Sequence, residues 1–486
     1  MNLSWQPALH FKRRIAMSQL LRPKIALFAL LVVALLVVAG CAAPAAPAAN
    51  APQAEAPAAA PAKTGPINIS VWAEANSVEH WRADGPAKAA AAVTDFQVTV
   101  DPLNDSSGWG DYKKKFTLAA DAGEAPDIIL SGHEDVPVWA NAGYIVDFEF
   151  CRNTYPEFND VIDSLWNSVT WQGKIWGVPQ DTEARPMYYN KKKLAELGWS
   201  QADIDSLPDR IKTGDFTLDD MIATAKQAVD QGVVEPGFGY WHRPRKGGDY
   251  LQYYFSYGGR LYDADQDKLV IVQDALEKWY SFQRRVVDEG ITPENYIGTE
   301  WSIWHDTVSH GKALFWNGGV WQWADWAANY VADQGGQDYL FGFVGYALQP
   351  SGIKGKPGGT LSHPLVYMIT SPSASGKENQ DAACAVLAKT TTPEINTLHA
   401  VGSTHLGILK SQANYADYTT DRLLSDTLYM LDYNYYQPNH VMYGSYFDIV
   451  WDFMVKAENG ELSPAEAATQ AVSLLQSELG DSLIVE

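Results

Sequence analysis

The chain has 486 residues, enough for roughly three ordinary domains or two large ones. Hydrophobic residues make up 46% and charged residues 19%, which excludes a wholly disordered protein. The 36 Lys and Arg against 58 Asp and Glu leave a net charge of −22, and so acidic a surface excludes general binding to phosphate backbones.

Residues 1–40 carry Lys12, Arg13, Arg14, Arg22 and Lys24 and no acid. An uncharged apolar run from Ile25 to Gly40 ends in Val38-Ala39-Gly40-Cys41. A basic head, an apolar stretch and small residues at a cleavage point make 1–40 an export signal. A spanning helix needs about 20 apolar residues, and this run is short unless Ala42 and Ala43 extend it. The tetrad resembles a bacterial lipobox, which implies lipidation of Cys41; an uncleaved anchor is the alternative. Both put the body at the outer face of the cytoplasmic membrane or the cell surface. Met17 is an alternative start, leaving Arg22 and Lys24 as the basic head. Residues 41–65 are mostly Ala and Pro, with nothing to bury, and read as a semi-extended tether.

The folded part begins at Pro66. Ile67–Trp72 and Phe96–Val100 alternate and are β-rich, so both read as strands. Trp81–Thr94 and Asp111–Ala122 read as helices, the second with Lys113–Lys115 on its solvated side. Asp127–Leu130 is a short apolar strand, and this βαβαβ order predicts a mainly parallel sheet. Further on, Gly173–Pro179, Met187–Asn190, Gly311–Trp316, Phe341–Leu348 and Leu365–Ile369 read as strands. Lys191–Leu197, Leu218–Gln231, Gln252–Tyr257, Asp274–Glu289, Asp381–Lys389 and the tail from Asp448 read as helices.

Several blocks carry a resemblance. They are Trp72-Ala73-Glu74, then Gly123–Ile129, Gly143–Asp147, Gly173–Gln180 with Tyr188–Lys192, Gly311–Trp321, and Gly402–Leu409. Together they resemble the bacterial extracellular solute-binding proteins of family 1, the maltose-binding-protein-like group. The resemblance implies an α/β, two-lobed, periplasmic-binding-protein-like (type II) fold with a ligand cleft between the lobes. It implies lobe one at 66–180 and 343–395 and lobe two at 181–342 and 396–486.

A sugar offers apolar C–H faces and a rim of hydroxyls, so a sugar cleft should interleave Trp and Tyr with Asp, Glu, Asn and His. On the family's pattern the lobe-one candidates are Glu74, Asn76, His133, Glu134 and Asp135. Ser131 stands where the family often has an aromatic. Glu183, on the crossing segment with Gln180 and Asp181, either contacts ligand or pairs with Arg185. Lobe two offers Tyr240, Trp241, His242 and Asp249, with Gly247-Gly248 allowing close backbone approach. It also offers Trp316, Trp321, Tyr446 and Phe447. Trp321 matches a stacking tryptophan of the family, whereas Trp323 and Trp326 read as core. Gly358–His363 returns toward lobe one and is a further candidate lining.

The sequence has no Gly-x-Ser-x-Gly, His-Glu-x-x-His or P-loop motif. Asp263-x-Asp265-x-Asp267 has Lys268 where a calcium loop needs Gly, so it reads as a hairpin turn. Neither a metal nor a cofactor is expected. Cys151 and Cys384 both fall in the implied lobe one and are either bonded or two buried thiols. The resemblance implies a monomeric receptor that closes on a carbohydrate and delivers it to an ABC permease with a cytoplasmic ATPase. A carbohydrate-active enzyme using Glu134 and Glu183, a receptor for a sensor kinase, and a receptor for another polar solute are the alternatives.

Overall fold

The computed structural model describes residues 65–486. The export signal, Cys41 and the tether up to residue 64 lie outside the described residues. Among the described residues, no helix is long and apolar enough to cross a membrane.

Two sheets, each with its own apolar core, make two lobes. The first sheet runs Val98–Asp105, Ile67–Glu74, Ile128–Gly132, Leu365–Ile369, Val178–Pro179. Its first three strands are parallel, as the βαβαβ order predicts, and Leu365–Ile369 returns antiparallel to Ile128–Gly132. The two central strands are buried along their whole length, which is why they read as continuous apolar runs. Val98–Asp105 lies at the edge, where Pro102 costs no ladder hydrogen bond.

The second sheet runs Val344–Ala347, Met187–Asn190, Phe315–Asn317, Tyr240–Trp241. Its helices are capped as their sequences dictate. Thr217 and Asp220 form a capping box before Leu218–Asp230, and Ser463 and Glu466 form one before Pro464–Leu479. Helix Gln273–Asp288 buries Leu276, Trp279, Tyr280 and Val286 along one face. The Asp263–Asp267 stretch turns a hairpin between Tyr262–Asp263 and Lys268–Ile271.

The lobe boundaries differ from the expected ones. Val344–Ala347 pairs with Met187–Asn190, so the chain stays in lobe two past 343 and crosses back over residues 348–364. A third crossing falls later than 396. Ile395 packs toward Gly85 of lobe one, and Ile408 and Leu409 belong to the lobe-one core. An isolated bridge between Thr182 and Leu406 ties the first crossing to this third one. Cys151 and Cys384 are joined on two lobe-one helices, Glu149–Thr154 and Gln380–Thr390, with Cα atoms 5.5 Å apart.

Candidate ligand crevice

Parallel strands of an α/β sheet present ligand-binding loops at their carboxyl ends. Two such ends form the lobe-one wall. At the first, Arg82 donates from Nη1 to the Glu74 carbonyl (3.0 Å) and pairs with Glu79 (3.0 Å). Burial pushes the Glu74 carboxyl up to about 7, although Arg82 pulls it down. Asn76 is exposed, and its Oδ1 accepts the N–H groups of Val78 and Glu79 (2.9 and 3.2 Å), so it works as a turn residue.

The second end is the turn His133–Asp135. A Cβ on Gly132 would lie 2.2 Å from the Glu134 carboxylate, so only glycine lets that carboxylate fold back here. Glu134 accepts from Lys113 Nζ at 2.8 Å and meets His363 Nε2 at 2.5 Å. Lys113 also reaches Asp135 (2.7 Å), so it faces the crevice; Lys114 alone of its neighbours is nearly free in solvent, at 72% exposure. Burial raises the Glu134 carboxyl, but His363 and Lys113 together hold it well below the usual range.

The crossing segments carry the charge ladder onward. Glu183 lies 2.5 Å from Arg185 and 3.9 Å from His363. Arg185 donates to Asp249 (2.9 Å), and Asp249 accepts from Arg243 (2.6 Å). Burial pushes Glu183 up to about 7 against the pull of Arg185. An alternating series thus runs from Lys113 of lobe one through His363 and Arg185 to Arg243 of lobe two. Asp181 sits behind it, accepting from Leu365 N (3.0 Å) and contacting His399 Nε2 (3.1 Å). Burial raises Asp181, but His405, His399 and Arg82 bring it down to about 2.

Trp321 lies on this ladder. Its ring stacks on His405 with centroids 5.7 Å apart, and Arg185 and Arg243 lie 4.8 and 5.7 Å from its centroid. Tyr443, one helical turn before Phe447, stacks on it (6.1 Å, 5° between planes). Lys246 lies over the Phe447 ring.

Beside the ladder a cavity of about 710 Å³ opens between the lobes. Lobe one contributes Trp171, on strand Thr170–Trp171 of a hairpin with Lys174–Ile175, and lobe two contributes Phe255, Tyr262, Tyr435 and Tyr436. Arg260, Asp267, Gln437 and Asn439 supply polar groups. Strand Asn434–Tyr436 is held there by pairing with Thr360–Ser362 of the crossing segment. Gly248 makes room for a side chain of this protein itself: a Cβ there would meet Gln437 Nε2 at 2.1 Å. Asn439 is the wall shared by cavity and ladder, because its Oδ1 lies 2.9 Å from His133 Nδ1.

Five residues expected on the cleft lie instead inside lobe two. Tyr240 is fully buried, bonded to the Tyr253 hydroxyl and packed on Phe282. Trp241 stacks on Phe238 and donates to Gly237 O. His242 meets Tyr250 and the buried Glu458. Trp316 stacks on Tyr188, and the Tyr446 hydroxyl donates to Val270 O. Strands Tyr240–Trp241 and Phe315–Asn317 are buried on both faces, so an aromatic run there reads as readily as core as it does as cleft lining. His133, Glu134, Asp135, Glu183, Asp249 and Trp321 line the ladder, Glu74 sits apart from it with Arg82, and Phe447 stands beside it through Tyr443. Arg82, Lys113, Arg243, His405 and Tyr443 were not anticipated, nor was the aromatic cavity.

Comparison with known proteins agrees with this architecture. A family model described as bacterial extracellular solute-binding protein matches residues 75–397. The chain belongs to this family. Among curated relatives, the diacetylchitobiose binding protein DasA of Streptomyces coelicolor is 26% identical over 222 residues, 44% of this chain and 47% of that protein. The match therefore spans about half of that relative's length. Among solved structures, the GacH receptor of Streptomyces glaucescens, studied unliganded and with acarbose, superposes with a TM-score of 0.69 at 19% identity. That alignment covers 86% of this chain and all of the other. The cyclic alpha-maltosyl-1,6-maltose binding protein of Arthrobacter globiformis gives 0.64 at 22% identity, over 85% and 99% of the two chains. These likenesses establish the two-lobed fold of the solute-binding proteins.

Proposed function

We propose that this solute-binding protein is the extracytoplasmic receptor of an ABC importer for an oligosaccharide. The observation that carries the reading is the aromatic cavity between the lobes. Trp171, Tyr262 and Tyr436 offer ring faces, while Arg260, Asp267, Gln437 and Asn439 offer donors and acceptors around them. A volume of about 710 Å³ falls inside the about 300–1,000 Å³ of small-molecule sites. The relatives named above bind or were studied with saccharides, which supports the same class here. Cys41 would carry the lipid, and the bound, closed form would dock on a permease served by a cytoplasmic ATPase. Closure follows because the ligand touches both lobes only in the closed state.

Calorimetric titration with diacetylchitobiose, maltooligosaccharides and acarbose tests the reading, with amino acids and phosphate esters as controls. Binding of one saccharide series, with the ligand recovered intact, is the expected result. Binding only to controls overturns the sugar class, and recovery of cleaved saccharide overturns the receptor role.

A further inference from the structure

Two clusters of metal-ligating side chains lie near the crevice, and they differ in one respect. In Asp181, His399 and His405 the ligand atoms are already engaged. Asp181 accepts from Leu365 N and meets His399 Nε2, His405 Nδ1 meets Ser403 Oγ (2.8 Å), and Arg82 Nη2 stands 3.4 Å from His405 Nε2. A permanently cationic guanidinium at that distance opposes a metal ion.

The cluster of His133, Glu134 and His363 is arranged otherwise. Asn439 Nδ2 donates to the carbonyls of Ser168 (2.8 Å) and Thr170 (3.1 Å), which turns its Oδ1 toward His133. The His133 Nδ1 therefore carries the proton and donates to Asn439. Its Nε2 is left with a bare lone pair, and that atom is buried without a partner while the residue is wholly shielded from solvent. A buried, unsatisfied acceptor is costly and calls for an explanation. One imidazole N–H held by an amide carbonyl, with the other nitrogen free, is how proteins orient a histidine for a metal.

We propose that His133 Nε2, the Glu134 carboxylate and His363 form a site for a divalent transition-metal ion, zinc by ligand type. One ligand atom from each residue lies within 4.8 Å of the others. Zinc bonds of about 2.0–2.2 Å set tetrahedral ligand atoms about 3.4 Å apart, so Glu134 and His363 Nε2, 2.5 Å apart, open to admit the ion, a change that small side-chain rotations supply. The ion takes the place of the hydrogen bond between Glu134 and His363 Nε2. Lys113 stays on the other Glu134 oxygen, its charge balanced by Asp135. Three protein ligands leave a fourth tetrahedral position open for water or for a hydroxyl of a molecule in the crevice. The mixed imidazole and carboxylate set suits zinc better than calcium or magnesium, which prefer oxygen throughout.

The test is calorimetric titration of the chelator-treated full chain with zinc sulfate, run without any saccharide so that it is independent of the proposed function. One zinc per chain is expected, with affinity falling at least tenfold in both His133→Gln and His363→Gln. His405→Gln should leave it unchanged. Cobalt(II) gives a second readout on the unmutated chain, the intense visible bands of a four-coordinate ion. Absence of zinc binding overturns the proposal. So does binding that survives both His133→Gln and His363→Gln, or that is lost only in His405→Gln.

Discussion

Trp321 and His405 lie face to face, 5.7 Å between ring centroids and 14° between planes, although they stand 84 residues apart on opposite sides of a crossing. Trp323, two residues on, is fully buried between Tyr188 and Phe341. The two tryptophans therefore answer to different measurements. Trp321→Ala should weaken saccharide binding by about 1–3 kcal/mol with a small change in Tm. Trp323→Ala should cost about 3–5 kcal/mol of stability, as large core deletions do, and affect binding only through unfolding. Calorimetry and thermal unfolding of both variants check this; equal effects on affinity would remove Trp321 from the binding surface.

The aromatic cavity makes a second prediction. Its rings come from both lobes, so a longer saccharide gains more from them than a monosaccharide does. Trp171→Ala and Tyr436→Ala should each weaken binding of a tri- or tetrasaccharide by about 1–2 kcal/mol. A monosaccharide should lose much less. Titration of both variants with a length series reads the difference, and uniform losses at every length would place the sugar elsewhere.

The sheets were legible in the sequence because their strands are short, apolar and bounded by turn residues. Leu365–Ile369 matches its expected limits, and Met187–Asn190 does too. The sequence anticipated two members of the charge ladder, Glu134 after strand Ile128–Gly132 and Glu183 on the crossing segment beside Arg185. The crevice was not legible where facing decides. Tyr446 and Phe447 are adjacent, yet the residue that reaches the ladder is Tyr443, whose buried hydroxyl feels Glu134 and Arg185. Lys113 looked solvated because its two acidic partners lie some twenty residues away in sequence. The His133, Glu134 and His363 cluster has no local spacing for a motif search to find.

Glu74 sets a pH dependence. Burial lifts its carboxyl from the ordinary 4.5 to about 7 in the folded protein, so the folded state holds this proton more tightly than the unfolded one. The contribution to stability is therefore complete below about pH 4.5 and is lost as pH rises through about 7. Glu74→Gln cannot lose a proton and should flatten that part of the stability profile. Chemical unfolding at several pH values between 4 and 8 compares the two proteins, and an unchanged slope would show that Glu74 titrates normally.

Cys151 and Cys384 both belong to lobe one, 233 residues apart in sequence. A link inside one lobe constrains the unfolded chain without restraining the hinge. The double variant Cys151→Ala, Cys384→Ala should lose about 2–5 kcal/mol of stability while keeping its ligand affinity. Mass spectrometry after alkylation without reductant should find neither thiol in the unmutated protein. Two alkylated cysteines would establish free thiols instead.

Gly319 offers the sharpest test of the Trp321 position. A Cβ there would fall 1.7 Å from the indole ring, well inside contact distance. Its backbone needs no left-handed conformation, so alanine acts through the ring alone. The carbonyl of Gly319 still accepts from the Tyr188 hydroxyl (3.1 Å), which keeps the turn in place. Gly319→Ala should therefore push the indole off His405, shift the tryptophan fluorescence, and weaken saccharide binding about as much as Trp321→Ala does. In the combined variant Gly319→Ala, Trp321→Ala the two losses should not add, because both act on one ring. Additive losses would mean that Gly319 touches the ligand by another route.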